Sequence, residues 1–471
     1  MRDLVRALEK EEEKLLDCVH CGFCLPACPT YTRLGDEADS PRGRLHFMRA
    51  VVEDRLDPAS PAFGRHLDRC LGCRACESVC PSGVEYGHLL EGAREVAARA
   101  RPRPLLDRIL ASAMARPSLL SVSMALARAL RATGFPEVAA QRLPDGGRLG
   151  RLRLGMGMVA ATRGPDTARL GTGGRRLGGP PSPERGEGGN PSPPTSAIPD
   201  TRTATPAGKT EPVEPGRKAG LGKDRPTALL LGCVQEGLLG RVNRATARVL
   251  EANGYRVVPA PNQGCCGAIH AHTGNLEGAR ELARANVEAF RAAGVEIIAV
   301  NAAGCGAVMK EYPLLLEEDP DYRHEAEWVG ERVKDVSELL HGPRLRKGAP
   351  VRVRVTYDAP CHLLHAQGIS REPLSLLSSI PGLELAPLEK ADECCGGAGI
   401  YGITHPELGG EIGGDKVRAV LATGARVVAT GNPGCMMQIG AGLRMAGSPV
   451  EVMHPVELLD ESYRRAGYYE E

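Results

Sequence analysis

The chain has 471 residues, 42% hydrophobic and 25% charged, enough apolar material to bury cores in roughly three domains. Its 59 Lys and Arg balance 58 Asp and Glu, and aromatic residues are only 3%, which excludes both a global electrostatic attraction to nucleic acid and an aromatic platform for bases. The abnormal figure is 16 cysteines.

The N-terminal stretch MRDLVRALEKEEEKLLDC reads as a charged helix with no apolar signal core. The longest apolar run, SLLSVSMALARAL, is too short to span a bilayer and carries Arg128. A cytoplasmic, reducing location is expected, with peripheral attachment to the inner face of the cell membrane left open. In that compartment dense cysteine points to metal or redox chemistry rather than to crosslinks.

Residues 1–95 form the first expected domain. They hold Cys18-x2-Cys21-x2-Cys24-x3-Cys28-Pro29 and then Cys70-x2-Cys73-x2-Cys76-x3-Cys80-Pro81, the bacterial two-cluster ferredoxin spacing occurring twice. Two-residue gaps let three thiolates curl around one cubane, while the fourth cysteine, followed by proline, turns away to the other. This assigns Cys18, Cys21, Cys24 and Cys80 to one [4Fe–4S] cluster, and Cys70, Cys73, Cys76 and Cys28 to the second. Zinc ribbons need only two pairs per metal and would leave cysteines over. His20 and Arg74 lie between ligands and read as solvated loop residues or as groups that tune a potential. In SPRGRLHFMRAV, Ser40 and Pro41 are expected to start a helix. Arg42 and Arg44 read as a charged helix face or an attraction for an acidic partner.

Residues 96–162 are expected to be a helical extension packed on this first domain, built from YGHLLEGAREVAARA and SLLSVSMALARALRATG. Residues 163–226 contain 25 Gly and Pro among 64 positions with no apolar period, which predicts a disordered linker.

The remaining eight cysteines lie in a duplication. Cys233 precedes Cys265–Cys266 by 32 residues, and Cys361 precedes Cys394–Cys395 by 33; Cys305 and Cys435 follow the pairs by 39 and 40. One offset of 128 to 130 residues relates them all, giving two Cys-Cys-Gly (CCG) repeats, 227–345 and 350–471. In the first, TALLLGC, YRVVPA and VEIIAVNAAGC read as strands separated by helices; in the second, VRVTYDAPC, LELAPL and ARVVATGNPGC do so. Alternation of this kind predicts a parallel α/β sheet with its cysteines converging at the C-terminal strand edge. The expected fold is therefore an α-helical two-cluster ferredoxin-like domain followed by two tandem α/β repeats.

CVHCGFCLPACPTY, CLGCRACESVCPSGVEYG, GCCGAIHAH, NAAGCGAVMKEYP, APCHLLHAQG and ECCGGAGIYGITHPEL together resemble the iron–sulfur subunits of bacterial glycolate oxidase (glycolate dehydrogenase). Related groups are the lactate-utilization iron–sulfur proteins, the iron–sulfur subunit of anaerobic glycerol-3-phosphate dehydrogenase and the heterodisulfide reductases. The resemblance implies an electron-transfer subunit. Flavoprotein partners would oxidise glycolate to glyoxylate, or lactate, and electrons would pass toward a membrane quinone or similar acceptor. It also implies that a CCG repeat can hold an iron–sulfur centre through C…CC…CxxC. Here the first cysteine of CxxC is replaced by Ala302 and by Asn432. Each repeat therefore offers four thiols: Cys233, Cys265, Cys266 and Cys305, then Cys361, Cys394, Cys395 and Cys435. Four suit an ordinary cluster but not a five-cysteine noncubane centre; a reversible dithiol, a scaffold facing quinone or flavin, and zinc are the alternatives.

His270, His272, His362 and His365, with Asp358 and Glu393, flank these cysteines as tuning, proton-moving or packing groups. LRLGMGMVAATRG has no preceding strand and no acidic residue downstream, so no flavin or nicotinamide site is expected in this chain. No residue is assigned a catalytic role. The competing reading is a thiol–disulfide or heterodisulfide reductase with catalytic CCG cysteines, or the corresponding glycerol-3-phosphate dehydrogenase subunit.

Overall fold

A computed structural model describes residues 2–101, 117–165, 225–343 and 345–469. The expected linker lies outside the described residues except at its two ends.

Up to Arg101 the described residues form helices and turns and no strand. Helix Pro41–Val52 starts as its sequence predicts: Ser40 Oγ accepts the Gly43 N–H at 3.0 Å and Pro41 occupies the first turn, where no N–H is needed. Helix Tyr86–Ala100 buries Tyr86, Leu89, Leu90, Ala93 and Val96 against Val5, Leu8, Phe63 and Leu67. Cys70 and Cys76 belong to the same apolar cluster, so the cysteine loops sit on a packed floor.

Each repeat is a four-stranded parallel sheet. β1 (Pro226–Leu229), β2 (Arg256–Val257), β3 (Ile297–Val300) and β4 (Val333–Asp335) lie in the order β2-β1-β3-β4. β5 (Val353–Tyr357), β6 (Leu383–Ala386), β7 (Val427–Ala429) and β8 (Glu451–Met453) repeat it as β6-β5-β7-β8. The edge strands β4 and β8 are not legible in the sequence, because each is three residues long and contains a charge. Residues of β3 are all buried, as an apolar run covered on both faces must be.

One apolar cluster runs from Val242, Val249 and Leu250 in the first repeat to Val355, Val427 and Leu459 in the second, so the two repeats share a core. Arg248 clamps Asp460 with bonds of 3.0 and 2.6 Å, and Arg241 Nε meets Glu457 Oε1 at 2.8 Å across the same seam. His454 caps helix Pro455–Arg465: its Nδ1 accepts the Val456 N–H at 3.1 Å, and it also bonds the backbone of Asn301. Burial pulls its pKa down to about 3. An unfolded histidine titrates near 6.5, so below that pH the unfolded chain binds a proton that the native chain refuses. This site therefore loses stability as pH falls through 6.5 toward 3, by about 1.4 kcal/mol per unit. His454→Asn keeps an N-cap acceptor, and between pH 7 and 5 it should remove about 2 kcal/mol of acid sensitivity from the urea unfolding free energy. An unchanged pH dependence would assign the effect to another group.

Of the expected helical extension, helix Tyr86–Ala100 packs on the N-terminal region as expected, and the later helices depart from expectation. Among the described residues, helices Pro117–Ala132, Phe135–Arg142 and Gly147–Ala161 pack chiefly against the repeats. Gly157 meets Ala441, and Gly440 meets Ala161, so closely that a methyl at Gly440 would lie 2.5 Å from the Ala161 Cβ. Small residues on both helices permit this approach, and LRLGMGMVAATRG is a packing helix. Among the described residues no helix is long and apolar enough to cross a membrane.

Candidate redox centres

The two N-terminal cysteine loops share a backbone device. His20 and Gly22 in the first, and Gly72 and Arg74 in the second, all adopt positive φ, between 55° and 88°, at matching positions around the middle cysteine. Left-handed residues curl a chain so that its N–H groups can face an anion; the Gly72 N–H points at Cys70 Sγ at 3.4 Å. One cavity is lined by Cys18, Cys21, Cys24, Cys76 and Cys80. A second is lined by Cys28, Cys70, Cys73 and Cys76. The structure thus gathers cysteines from both motifs around each cavity; Cys76 lines both, and the eight thiols together are a donor set that fits two [4Fe–4S] clusters.

Arg44 is not a surface charge. It is 1% exposed, with Nε donating to His66 O at 2.6 Å, Nη2 to Thr30 Oγ1 at 3.1 Å, and Nη1 3.9 Å from Cys28 Sγ. Its counter-ion is the fully buried Asp39, which also takes Arg69 at 2.7 Å and His66 at 3.0 Å. Asp36, Asp39 and His66 bring ligand atoms within 4.8 Å of one another, but the arginines already saturate Asp39, so this is an ion-pair knot. Arg42 pairs with Glu37 and donates to His20 O at 2.9 Å. Arg74 is likewise enclosed, between Glu77 at 2.8 Å and Glu311 of the first repeat. Burial opposes ionisation of Cys70, yet Arg44 and Arg94 hold its thiol below the usual range. Burial raises Cys76, and burial together with neighbouring Cys361 raises Cys73.

In each repeat the four cysteines do converge at the C-terminal strand edge. Cys233 and Cys361 follow β1 and β5, the pairs lie in the loops beyond β2 and β6, and Cys305 and Cys435 open helices Ala303–Lys310 and Pro433–Met445. Thiol contacts run Cys233–Cys265–Cys266–Cys305 in the first repeat and Cys361–Cys394–Cys395–Cys435 in the second. The quartets differ electrostatically. Cys265, despite its bond from Cys233, is pushed up to about 12 by Cys266 and burial. Bonds from Cys394 and the adjacent His362 hold Cys361 well below a normal thiol.

The flanking residues separate into distinct roles. His362 Nδ1 lies 3.6 Å from Cys361 Sγ, and its ring packs 5.2 Å from that of His272, which bonds Glu91 at 3.0 Å. His365 meets Ser78 Oγ at 3.0 Å, tying the second repeat to the N-terminal region. His270 is buried with neither ring nitrogen partnered among the described residues, and burial depresses its pKa. Glu393 forms an exposed ion pair with Lys390. Asp358 is buried against Lys416 at 2.9 Å. Lys416 was missed in the sequence, although it falls on the buried stripe Gly409, Ile412, Gly413, Val417, Val420 of helix Pro406–Ala422; a lysine in such a stripe is the signal.

Comparison with known proteins agrees with this layout. Residues 14–84 match a family of 4Fe-4S dicluster domains, and 227–310 and 355–440 each match the cysteine-rich CCG domain. The chain is 35% identical over 463 residues to a probable glycolate oxidase iron-sulfur subunit of Bacillus subtilis, covering 96% of this chain and 95% of that one. It is 33% identical over 472 residues to the glycolate oxidase iron-sulfur subunit of Escherichia coli, covering 99% and 98%. Lactate utilization protein A of an Exiguobacterium species is 31% identical over 241 residues, 51% of this chain and 98% of that protein. With two near full-length relatives above 30% identity and the same order of cysteine domains, the chain belongs to the family of glycolate oxidase iron–sulfur subunits.

Proposed function

We propose that this chain is the electron-transferring subunit of a glycolate or lactate dehydrogenase complex, working between a flavoprotein partner that oxidises the 2-hydroxy acid and a membrane quinone or similar acceptor. Residues 1–95 would hold two [4Fe–4S] clusters, on Cys18, Cys21, Cys24 and Cys80 and on Cys28, Cys70, Cys73 and Cys76. The observation that carries the reading is the pair of adjoining cavities, each lined by thiols drawn from both motifs. Bound clusters supply one-electron relay, whereas hydride removal from a 2-hydroxy acid needs a cofactor such as flavin. The residues around the second cavity enclose and charge it: Arg44 and Arg94 face Cys70, and the Tyr86 hydroxyl lies 3.6 Å from Cys70 Sγ. Cys21 is exposed while Cys28, Cys70 and Cys76 are buried, so the first site faces the surface and the second faces inward.

The test is bleaching of the visible absorbance of the iron-loaded chain under anaerobic conditions. Glycolate should bleach it only when the flavoprotein partner is present. Oxidation of glycolate by the iron-loaded chain alone would refute the subunit reading.

A further inference from the structure

The duplication supplies an internal comparison. Asp358 N–H donates to Ala429 O as Leu230 N–H donates to Ala299 O, and Val355 pairs with Val427 where Thr227 pairs with Ile297. The strand register therefore sets Asp358 against Leu230. Counted from the same anchors, His362 stands for Val234, Thr430 for Val300 and Asn432 for Ala302. On the long helices the buried stripe Gly409, Gly413, Val417, Val420 repeats Ala279, Ala283, Val287, Phe290, so Lys416 stands for Asn286. Four apolar positions and one amide in the first repeat are a carboxylate, an imidazole, a hydroxyl, an amide and an ammonium in the second.

These five groups form one shell around the second quartet. Lys416 Nζ lies 2.9 Å from Asp358 Oδ1 and donates to Lys390 O at 2.7 Å and Ala391 O at 3.2 Å, on the loop that leads into Cys394–Cys395. Thr430 Oγ1 donates to Asp358 Oδ2 at 2.9 Å. Asn432 Nδ2 donates to Cys435 Sγ at 3.4 Å, and its Oδ1 accepts the Gly304 N–H at 3.1 Å. In the first repeat Asn286 holds the matching loop by neutral bonds, to Cys265 O at 2.8 Å and from Gly264 N at 2.9 Å. Among the described residues no side-chain N–H reaches the sulfurs of that first quartet. A buried ion pair is no better for folding than apolar residues of similar volume, and Leu230 already fills that place in the first copy. Stability does not explain the charges.

Position does. Cys361 and Cys394 share an apolar cluster with Leu71 and Cys73 of the inner N-terminal cavity. Cys266 and Cys305 belong to an apolar cluster that contains no residue of the N-terminal region.

We infer that the two quartets have separate tasks: the second repeat's is the electron-exchanging partner of the Cys28, Cys70, Cys73 and Cys76 site, with Asp358, Lys416, His362 and Asn432 as positioning residues, and the first repeat's is its structural counterpart. This rests on the iron–sulfur reading above. The exchange is one electron, lost on the N-terminal side and gained on the second-repeat side, with no bond made or broken. Hydrogen bonds to sulfur favour the reduced, more negative state, so their removal lowers a reduction potential.

The test uses the full-length chain loaded anaerobically with iron and sulfide, followed by iron analysis and an EPR redox titration. Iron should exceed the about eight atoms of two cubane clusters, and the additional signal should vanish in Cys394→Ser but persist in Cys265→Ser. His362→Val/Asn432→Ala, which writes the first repeat's residues into the second, should move the midpoint of that signal alone to lower potential, with thermal unfolding unchanged. Asn432→Ala by itself carries the same expectation if the double variant does not fold. Loss of the signal in Cys265→Ser instead, an unmoved midpoint, or iron that stops at about eight would each overturn the inference. Failure of the iron–sulfur reading looks different: the two N-terminal signals would themselves be missing.

Discussion

Replacing Cys28 by serine should cost the chain the cluster of the second motif, not the first. Cys28 belongs by sequence to the run beginning at Cys18, yet its thiol is buried and lines the cavity of Cys70, Cys73 and Cys76. It is turned there by its surroundings: Thr30 Oγ1 at 3.2 Å, Asp39 O at 3.8 Å and Arg44 at 3.9 Å all approach the sulfur. Iron bound by the N-terminal region should fall from about eight atoms to about four. The surviving EPR signal should be abolished by a further Cys21→Ser and left intact by a further Cys73→Ser. The opposite pattern would mean that each motif closes its own cluster.

Arg44→Met should be the most destabilising single change outside the cysteines, at about 3–5 kcal/mol by urea unfolding. The arginine is enclosed, Asp39 beside it is 0% exposed, and the substitution strands His66 O and removes one donor from Thr30 Oγ1 as well as weakening the carboxylate's pairing. Arg69→Ala is the comparison. That side chain is 35% exposed and pairs with the same Asp39, so solvent compensates its loss and about 1 kcal/mol or less is expected. Equal costs for the two variants would show that burial of Arg44 does not set the energetics of the knot.

Both predictions concern residues whose meaning divides unequally between chain and fold. Local spacing made the eight N-terminal cysteines readable, because a cubane imposes its own short, repetitive intervals on any chain that wraps it. The duplication was readable for a similar reason: two equal offsets and a repeated CCG triplet need no structure to be recognised. Helix Tyr86–Ala100 and the Ser40–Pro41 start followed from apolar period and capping chemistry. Arg42 and Arg44 were not separable by those rules. They lie two residues apart on one helix, and only the packing against His66 and Asp39 makes one a surface pair and the other a core ion.

The placement of the later helices of the extension failed for a related reason. The extension's period predicts helices correctly, but small residues such as Gly157 and Ala161 carry no address, and their partners Ala441 and Gly440 lie nearly three hundred positions away. Lys416 and Asp358 are the same case in polar form. Each alone is an ordinary charge in a helix or strand pattern; the sheet register and helix packing bring them to 2.9 Å beneath the Cys394–Cys395 loop.

Sixteen cysteines, their four groups of four and the family resemblance were thus determined by the sequence itself, because metal-binding intervals and repeats are one-dimensional signals. Which groups stand next to one another was decided only by the tertiary structure. Convergence at a parallel sheet edge, the contact of Cys73 with the second quartet and the buried charges that distinguish the two repeats all depend on residues far apart in the chain. No local pattern encodes such contacts, since burial and electrostatic pairing are properties of the packed interior and not of the segments that enter it.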